Sequence, residues 1–342
     1  MRSRERVLKM NKGEKIDRVP FMPTLYEHCA ALINKTPSEV AQDKSLFIEA
    51  QLKGYEVYQH DLVTVGMDIY NVEVEALGAK IAYSQSIDVP GISFHPLAEV
   101  EDLTGLKLPN PEQDGRMPMF LEAAAEINKQ IGDEVIVNGT IVGPFTLAAL
   151  LRGFEKFIMD IMMNPDYARQ LLNFCADVGV RYGEAMIKRG VGLSINESWI
   201  SPPLMSPKIF KDEVLPWEKY LISELKAKGI ANIGLISGGN TTAIVDDMIQ
   251  AGSSLIMADY GCDLGYFKQK ADQAGITLRG CIDSKMLEKA SVEEINSATE
   301  QVLQVGVKGG KFVIGCGVVS YNTPTEKLLA FKNSVEQFCQ KQ

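Results

Sequence analysis

Two hydrophobic periods alternate along the chain. Short runs rich in Val and Ile fall at 20–25, 61–65, 135–142, 192–195, Ile233–Ile236, 254–258, Thr277–Ile282 and 311–314. Continuous apolar runs of this length suit strands buried on both faces. Amphipathic stretches lie between most of them. The longest, 154–188, is divided by Pro165 into two helices and stopped by Gly190. A second helix opens with Ser206-Pro207 and ends at Gly229. A third carries a capping box, with Ser291 as N-cap and Glu294 three residues on. Met159, Met162 and Met163 share helical spacing and read as core.

Eight strands alternating with helices predict a (β/α)8 TIM barrel with an N-terminal extension, and an open doubly wound sheet is the alternative. No Rossmann fingerprint or Walker-type loop occurs. Segment 68–118, with Asp88-Val-Pro-Gly and Pro109-Asn-Pro, reads as an insertion after the second strand. The expectation is one barrel domain over 1–342.

Composition narrows the function classes. The 342 residues are 46% hydrophobic and 23% charged, with a formal net charge of −9. An acidic chain without a Lys/Arg run is a poor nucleic-acid binder. The charged N-terminus has no apolar core of the signal-peptide kind, and the run near 135–151 is too broken by polar residues and Gly-Pro to span a membrane. Six scattered cysteines with no CxxC pair fit a reducing cytoplasm. Only three histidines are available for imidazole chemistry.

In a barrel of this kind chemistry belongs at the carboxyl ends of the strands. Those ends supply Tyr26, Glu27 and His28; Asp68, Asn71, Glu73 and Glu75; Asn138 and Thr140; Asn196 and Glu197; Ser237 to Asn240; Asp259; Asp283; and Cys316. The set is rich in carboxylates and amides and contains no cation. It suits a polar ligand bearing N–H donors and carbonyls.

Four stretches, MDIYNVEVEALGAKI (67–81), VGPFTLAALLRG (142–153), ISPPLMSPKIFKDEVLPWEKYL (200–221) and GCGVVSYNTPTEKLLAF (315–331), resemble the uroporphyrinogen decarboxylase family. The likeness runs from about residue 4 to 338. It implies a (β/α)8 barrel with its site at the mouth, and either a decarboxylase or a corrinoid-dependent methyltransferase. The decarboxylases bear an arginine after the first strand, and PFMPTLYEHCA (20–30) has none. VEVEALGA and GNTT look most like the methylcorrinoid:coenzyme M branch. That branch holds zinc through His-x-Cys before Gly-Asn-Thr-Thr and a later Cys. Here those positions are Ile236, Gly238 and Cys316.

Zinc serves to deprotonate a thiol, and an amine acceptor is nucleophilic when neutral. The chain therefore looks most similar to the zinc-independent methylcorrinoid:tetrahydrofolate methyltransferases of glycine betaine demethylation, with no zinc expected. The implied reaction moves methyl between a methylated corrinoid protein and N5 of tetrahydrofolate. Alternatives are another acceptor such as the coenzyme M thiol, uroporphyrinogen decarboxylation, and a non-catalytic barrel. No DxHxxG stretch surrounds a histidine, so the cobalamin would arrive on a separate corrinoid protein. The expected catalytic residues are Glu197, Asn240 and Asp259. The expected pterin-binding residues are Asn196, Ser237, Asp283, Asn138, Asp68, Tyr26 and His28. Asn240 is also a candidate helix N-cap, His28 a packed residue, and Cys316 a small buried apolar one.

Overall fold

In the computed structural model, which describes residues 1–341, a seven-stranded parallel sheet curls into a barrel. Its strands are β1 (Leu62–Thr64), β4 (Ile136–Val142), β5 (Gly192–Asn196), β6 (Ile233–Ile236), β7 (Leu255–Ala258), β8 (Thr277–Ile282) and β9 (Phe312–Cys316), paired in that order. An antiparallel hairpin of β2 (Lys80–Ala82) and β3 (Gly91–Phe94) stands apart from it. The eighth stave is the segment at 20–25. It joins β9 through parallel bridges Phe21 to Ile314 and Thr24 to Val318 rather than through a continuous ladder. The fold is a (β/α)8 TIM barrel.

Asp61 closes the ring on the other side. Its amide donates to the Phe21 carbonyl (2.8 Å), and its carboxylate accepts the Phe21 amide (2.7 Å). The same buried carboxylate pairs with Arg6 and Arg18. Arg6 belongs to the helix Ser3–Asn11, the N-terminal extension. Val7 and Met10 of that helix pack on Met22, Val313, Leu62, Ile136 and Leu255, forming the barrel floor.

Helices jacket the staves as the periodicity predicts. Phe154–Met163 and Pro165–Ile187 meet at Pro165, and the Ser291–Glu294 capping box forms with bonds of 3.2 and 2.7 Å. The helix expected after Ser206 is broken by a π-turn over Phe210–Val214 and resumes at Leu215–Ala227. The insertion after β1 folds as a short helix (Val72–Ala76), the hairpin and loops. Arg116 clamps it by bonding both oxygens of Asp68 and also Glu75.

The methionine expectation is corrected. Met159, Met162 and Met163 are 59%, 61% and 80% exposed. The core-facing stripe of their helix is Phe157 and Ile161, buried, with Phe154 and Ile158 partly buried beside them, at i, i+3, i+4, i+7, which leaves the methionines on the outer face. Among the described residues no helix is long and apolar enough to cross a membrane.

Candidate active site

The interior of a TIM barrel is ordinarily filled by layers of bulky side chains. Here several inward positions are held by small residues, Thr24, Thr64, Gly192, Ser194, Gly234 and Gly317, beside bulkier Met22, Leu62, Ile136 and Met257, and a cavity of about 500 Å³ runs along the axis. That volume lies within the range of about 300–1,000 Å³ typical of small-molecule sites. Tyr26, Tyr70, Asn196, Ser198, Gly238, Asp259 and Val318 line its mouth side. Asn138 and Arg279 line its middle.

Four expected residues meet in this cavity. Asn196 ends β5, and its buried amide nitrogen has no hydrogen-bond partner. Asn138 on β4 lies 3.4 Å from the Ser194 hydroxyl, and Gly192 makes room for it, because a Cβ there would fall 2.1 Å from Asn138 Oδ1. Asp259 follows β7 and accepts the Gly239 and Tyr260 amides at 2.9 Å each. Gly239 has φ +79°, and a Cβ would fall 2.8 Å from Ser201 Oγ, so the turn that presents its amide to Asp259 requires glycine. Tyr26 is buried against the mouth, and burial holds its phenol far above the ordinary range.

Six expected residues lie off the cavity wall. Glu197 points away from the axis and caps the helix Pro144–Arg152, accepting the Phe145 amide (2.8 Å) and the Thr146 amide (3.2 Å). Burial raises its pKa to about 7 against the opposing pull of those hydrogen bonds. Asp68 is consumed by Arg116 and by the Asn71 amide (2.9 Å). His28 is fixed between the Tyr58 hydroxyl (2.6 Å) and the Ser320 carbonyl (3.2 Å), and burial lowers its pKa. Its Nδ1 therefore donates and its Nε2 accepts. Ser237 is buried with only a long contact to the Gly238 carbonyl. Asn240 is exposed and turns back on the Thr242 amide (3.1 Å). Asp283 caps the helix Ser284–Lys289 through the Lys285 amide (3.0 Å). Each polar group is spent on local backbone or a neighbour, as N-caps and loop anchors commonly are.

The statement that no cation faces the site is also corrected. Arg279, in the middle of β8, lies inside the cavity. An arginine in the otherwise uncharged run TLRGCI was the available signal. Tyr70 and Ser198, whose hydroxyls bond each other, are further wall residues that strand-end reading missed.

The zinc site implied for thiol-methylating relatives has no ligand set here. Cys316 is fully buried in the apolar core, and burial pushes its thiol up to about 11. Ile236 and Gly238 offer no donor side chain. Among the described residues no three His, Cys, Asp or Glu side chains form a group that could hold a metal ion. The residues present do not fit that ion.

Known proteins share both sequence and architecture with this chain. It is 27% identical over 331 residues to a methylcobamide:CoM methyltransferase of Methanosarcina mazei, covering 95% of each chain. It is 24% identical to the uroporphyrinogen decarboxylase of Geobacter sulfurreducens, covering 97% of each. A solved methyltransferase structure from Methanosarcina mazei shares the fold, with a TM-score of 0.86 over 99% of both chains at 24% identity. The family model for uroporphyrinogen decarboxylase (URO-D) matches residues 2–338, and the chain belongs to that family.

Proposed function

We propose that this protein is a corrinoid-dependent methyltransferase that moves methyl between a methylcobamide carried on a separate corrinoid protein and N5 of tetrahydrofolate. The observation that carries this reading is the axial cavity, with Asn138, Asn196 and Asp259 on an otherwise largely apolar wall, at a mouth where Ile236 and Gly238 stand in the positions of metal ligands. The methylcobamide named in the relatives supports the donor. An amine keeps its lone pair when neutral, so this acceptor needs no Lewis acid to become a nucleophile.

The chemistry is a single displacement. The N5 lone pair forms the new carbon–nitrogen bond, the electron pair of the broken cobalt–carbon bond stays with cobalt, and the N5 proton leaves to solvent. In this reading Asp259, on the cavity wall, accepts the 2-amino and N3–H edge of a pterin, and Asn138 and Asn196 meet its remaining polar atoms. The cavity holds the acceptor in line with a donor seated over the mouth, which is where positioning lowers the barrier.

A second reading has a thiol as acceptor. The CoM of the relatives' names favours it, and the buried guanidinium of Arg279 would suit a sulfonate. One experiment separates the two. The protein is mixed with methylcobalamin and either tetrahydrofolate or 2-mercaptoethanesulfonate, with and without a chelator, and the loss of methylcobalamin absorbance is followed. Consumption driven by tetrahydrofolate and indifferent to the chelator is expected. Consumption driven only by the thiol would replace the first reading with the second.

A further inference from the structure

We infer that Arg279 and Asn196 form an anchor for an acceptor oxygen of the bound methyl acceptor, a carbonyl or anionic oxygen that enters the barrel first. This deepens, and rests on, the methyl-transfer reading of the same cavity.

Arg279 is only 8% exposed, and no carboxylate pairs with it among the described residues. Its Nη2 is committed to the Thr24 hydroxyl (2.7 Å) and the Cys316 carbonyl (2.8 Å). Those two bonds fix the plane of the fork, and its Nε is left buried without a partner. Gly315 makes this placement possible, because a Cβ there would fall 2.6 Å from Nε. Asn196, 4% exposed and on the wall of the same cavity, holds a second donor, Nδ2, buried without a partner among the described residues.

A structural strap between the stave at 20–25 and β9 would account for Nη2. It does not account for a buried unpaired charge, an unused Nε and a second orphan amide in one cavity. Buried polar groups are normally satisfied, and a buried cation normally has an anionic or strongly accepting partner. The two donors therefore call for acceptor oxygen from the ligand. Asp259 is the one carboxylate among the described wall residues. Its carboxylate lies over Gly317, two residues beyond Gly315, where the Arg279 fork lies. That offset is about 7 Å along the strand. A ligand showing a carbonyl beside an N–H edge, as a 4-oxo pteridine does, meets both groups at once. A sulfonate would meet Arg279 alone.

The test is calorimetry on the intact protein with three probes: tetrahydrofolate, the 4-amino pteridine aminopterin, and 2-mercaptoethanesulfonate. Wild type is compared with Arg279→Gln and Asn196→Asp, the latter isosteric and replacing the donor with an acceptor, after thermal melts establish that each is folded. Each substitution is expected to weaken tetrahydrofolate at least about tenfold, the loss that follows from leaving a buried group unmatched. Aminopterin, which presents an amino donor in place of the carbonyl, should bind wild type weakly and change less than about threefold. A folded variant of either kind that binds tetrahydrofolate like wild type overturns the anchor. If Arg279→Gln does not fold, Asn196→Asp decides by the same criterion. If wild type binds no pteridine but binds the sulfonate in an Arg279-dependent way, the anchor stands and the pterin reading falls. If wild type binds none of the three probes, the anchor is overturned.

Discussion

Glu197, just after β5, and Glu218, in the helix Leu215–Ala227, bring two carboxyl groups together in the core with no cation beside them among the described residues. The oxygens of Glu197 already accept backbone amides at the start of the helix Pro144–Arg152. Glu218 has no such donors, and burial followed by the Glu197 charge holds its pKa well above the ordinary value. Glu218 therefore keeps its proton beside Glu197. The pair staples two jacket helices to β5, which explains a carboxylate next to the site whose side chain is not in it.

This pair sets a pH dependence of stability. Burial is the leading cause that raises Glu27 and Glu197 to about 7 and Glu73 to about 8, with Glu218 raised as well. A carboxyl whose pKa is raised by folding stabilises the fold fully below its ordinary value near 4.5, and that stabilisation is lost as pH rises through the folded value. His60, lowered by burial to about 4, acts in the opposite sense, losing its contribution as pH falls from 6.5 toward 4. Thermal scans should therefore show stability declining as pH rises from about 5 to 8, with Tm falling by roughly 5 °C or more over that range. Glu218→Gln, which supplies a permanent donor to Glu197, should make that alkaline decline smaller. An unchanged decline would remove the pair from the explanation.

Asp61 should be among the costliest single positions in the fold. Asp61→Asn leaves Arg6 and Arg18 without their shared buried charge and weakens the join to Phe21. The expected loss is roughly 3–5 kcal/mol, seen as a clear drop in the denaturant midpoint.

The axial cavity can be filled without disturbing its walls. A Cβ at Gly234 would meet Leu255 at 3.4 Å and Ser194 at 3.8 Å, both ordinary contacts. Gly234→Val should keep or raise Tm, since valine suits a strand better than glycine. It should also abolish acceptor binding in calorimetry. Retained binding would place the acceptor outside the barrel axis.

The two acids named for chemistry from sequence should now separate. Asp259→Asn, on the cavity wall, should weaken acceptor affinity about tenfold. Glu197→Gln, off the wall, should leave affinity within about twofold and lower stability through the helix it caps. Equal losses of affinity in both would show that Glu197 reaches the ligand after all.

The staves, the break at Pro165 and the capping box were readable because period, proline and cap chemistry act locally. Closure of the ring was not, because it depends on Asp61 meeting Phe21, forty residues away. The site divided in the same way. Asn138, Asn196 and Asp259 face inward by strand alternation, a two-residue rule, and Tyr26 follows the stave at 20–25 as the first residue of the helix Tyr26–Leu32. Asp283 sits one residue past its strand and Asn240 four past its own, in turns where a polar side chain bonds back to nearby backbone. Asp68 was out of reach of any local rule, because its partner Arg116 is supplied from the far side of the insertion. Arg279 lies in the middle of a strand rather than at its end, and a charge inside an apolar strand is itself the signal.

Glycine at 192, 234 and 315 has one last consequence. Those positions remove the side chains that would otherwise brace opposite staves across the middle, so cohesion must run around the circumference. The circumference is weakest where the stave at 20–25 touches its neighbours through isolated bridges and one aspartate. A guest lodged along the axis would supply the missing spokes, so the wheel should be stiffest while it carries its cargo.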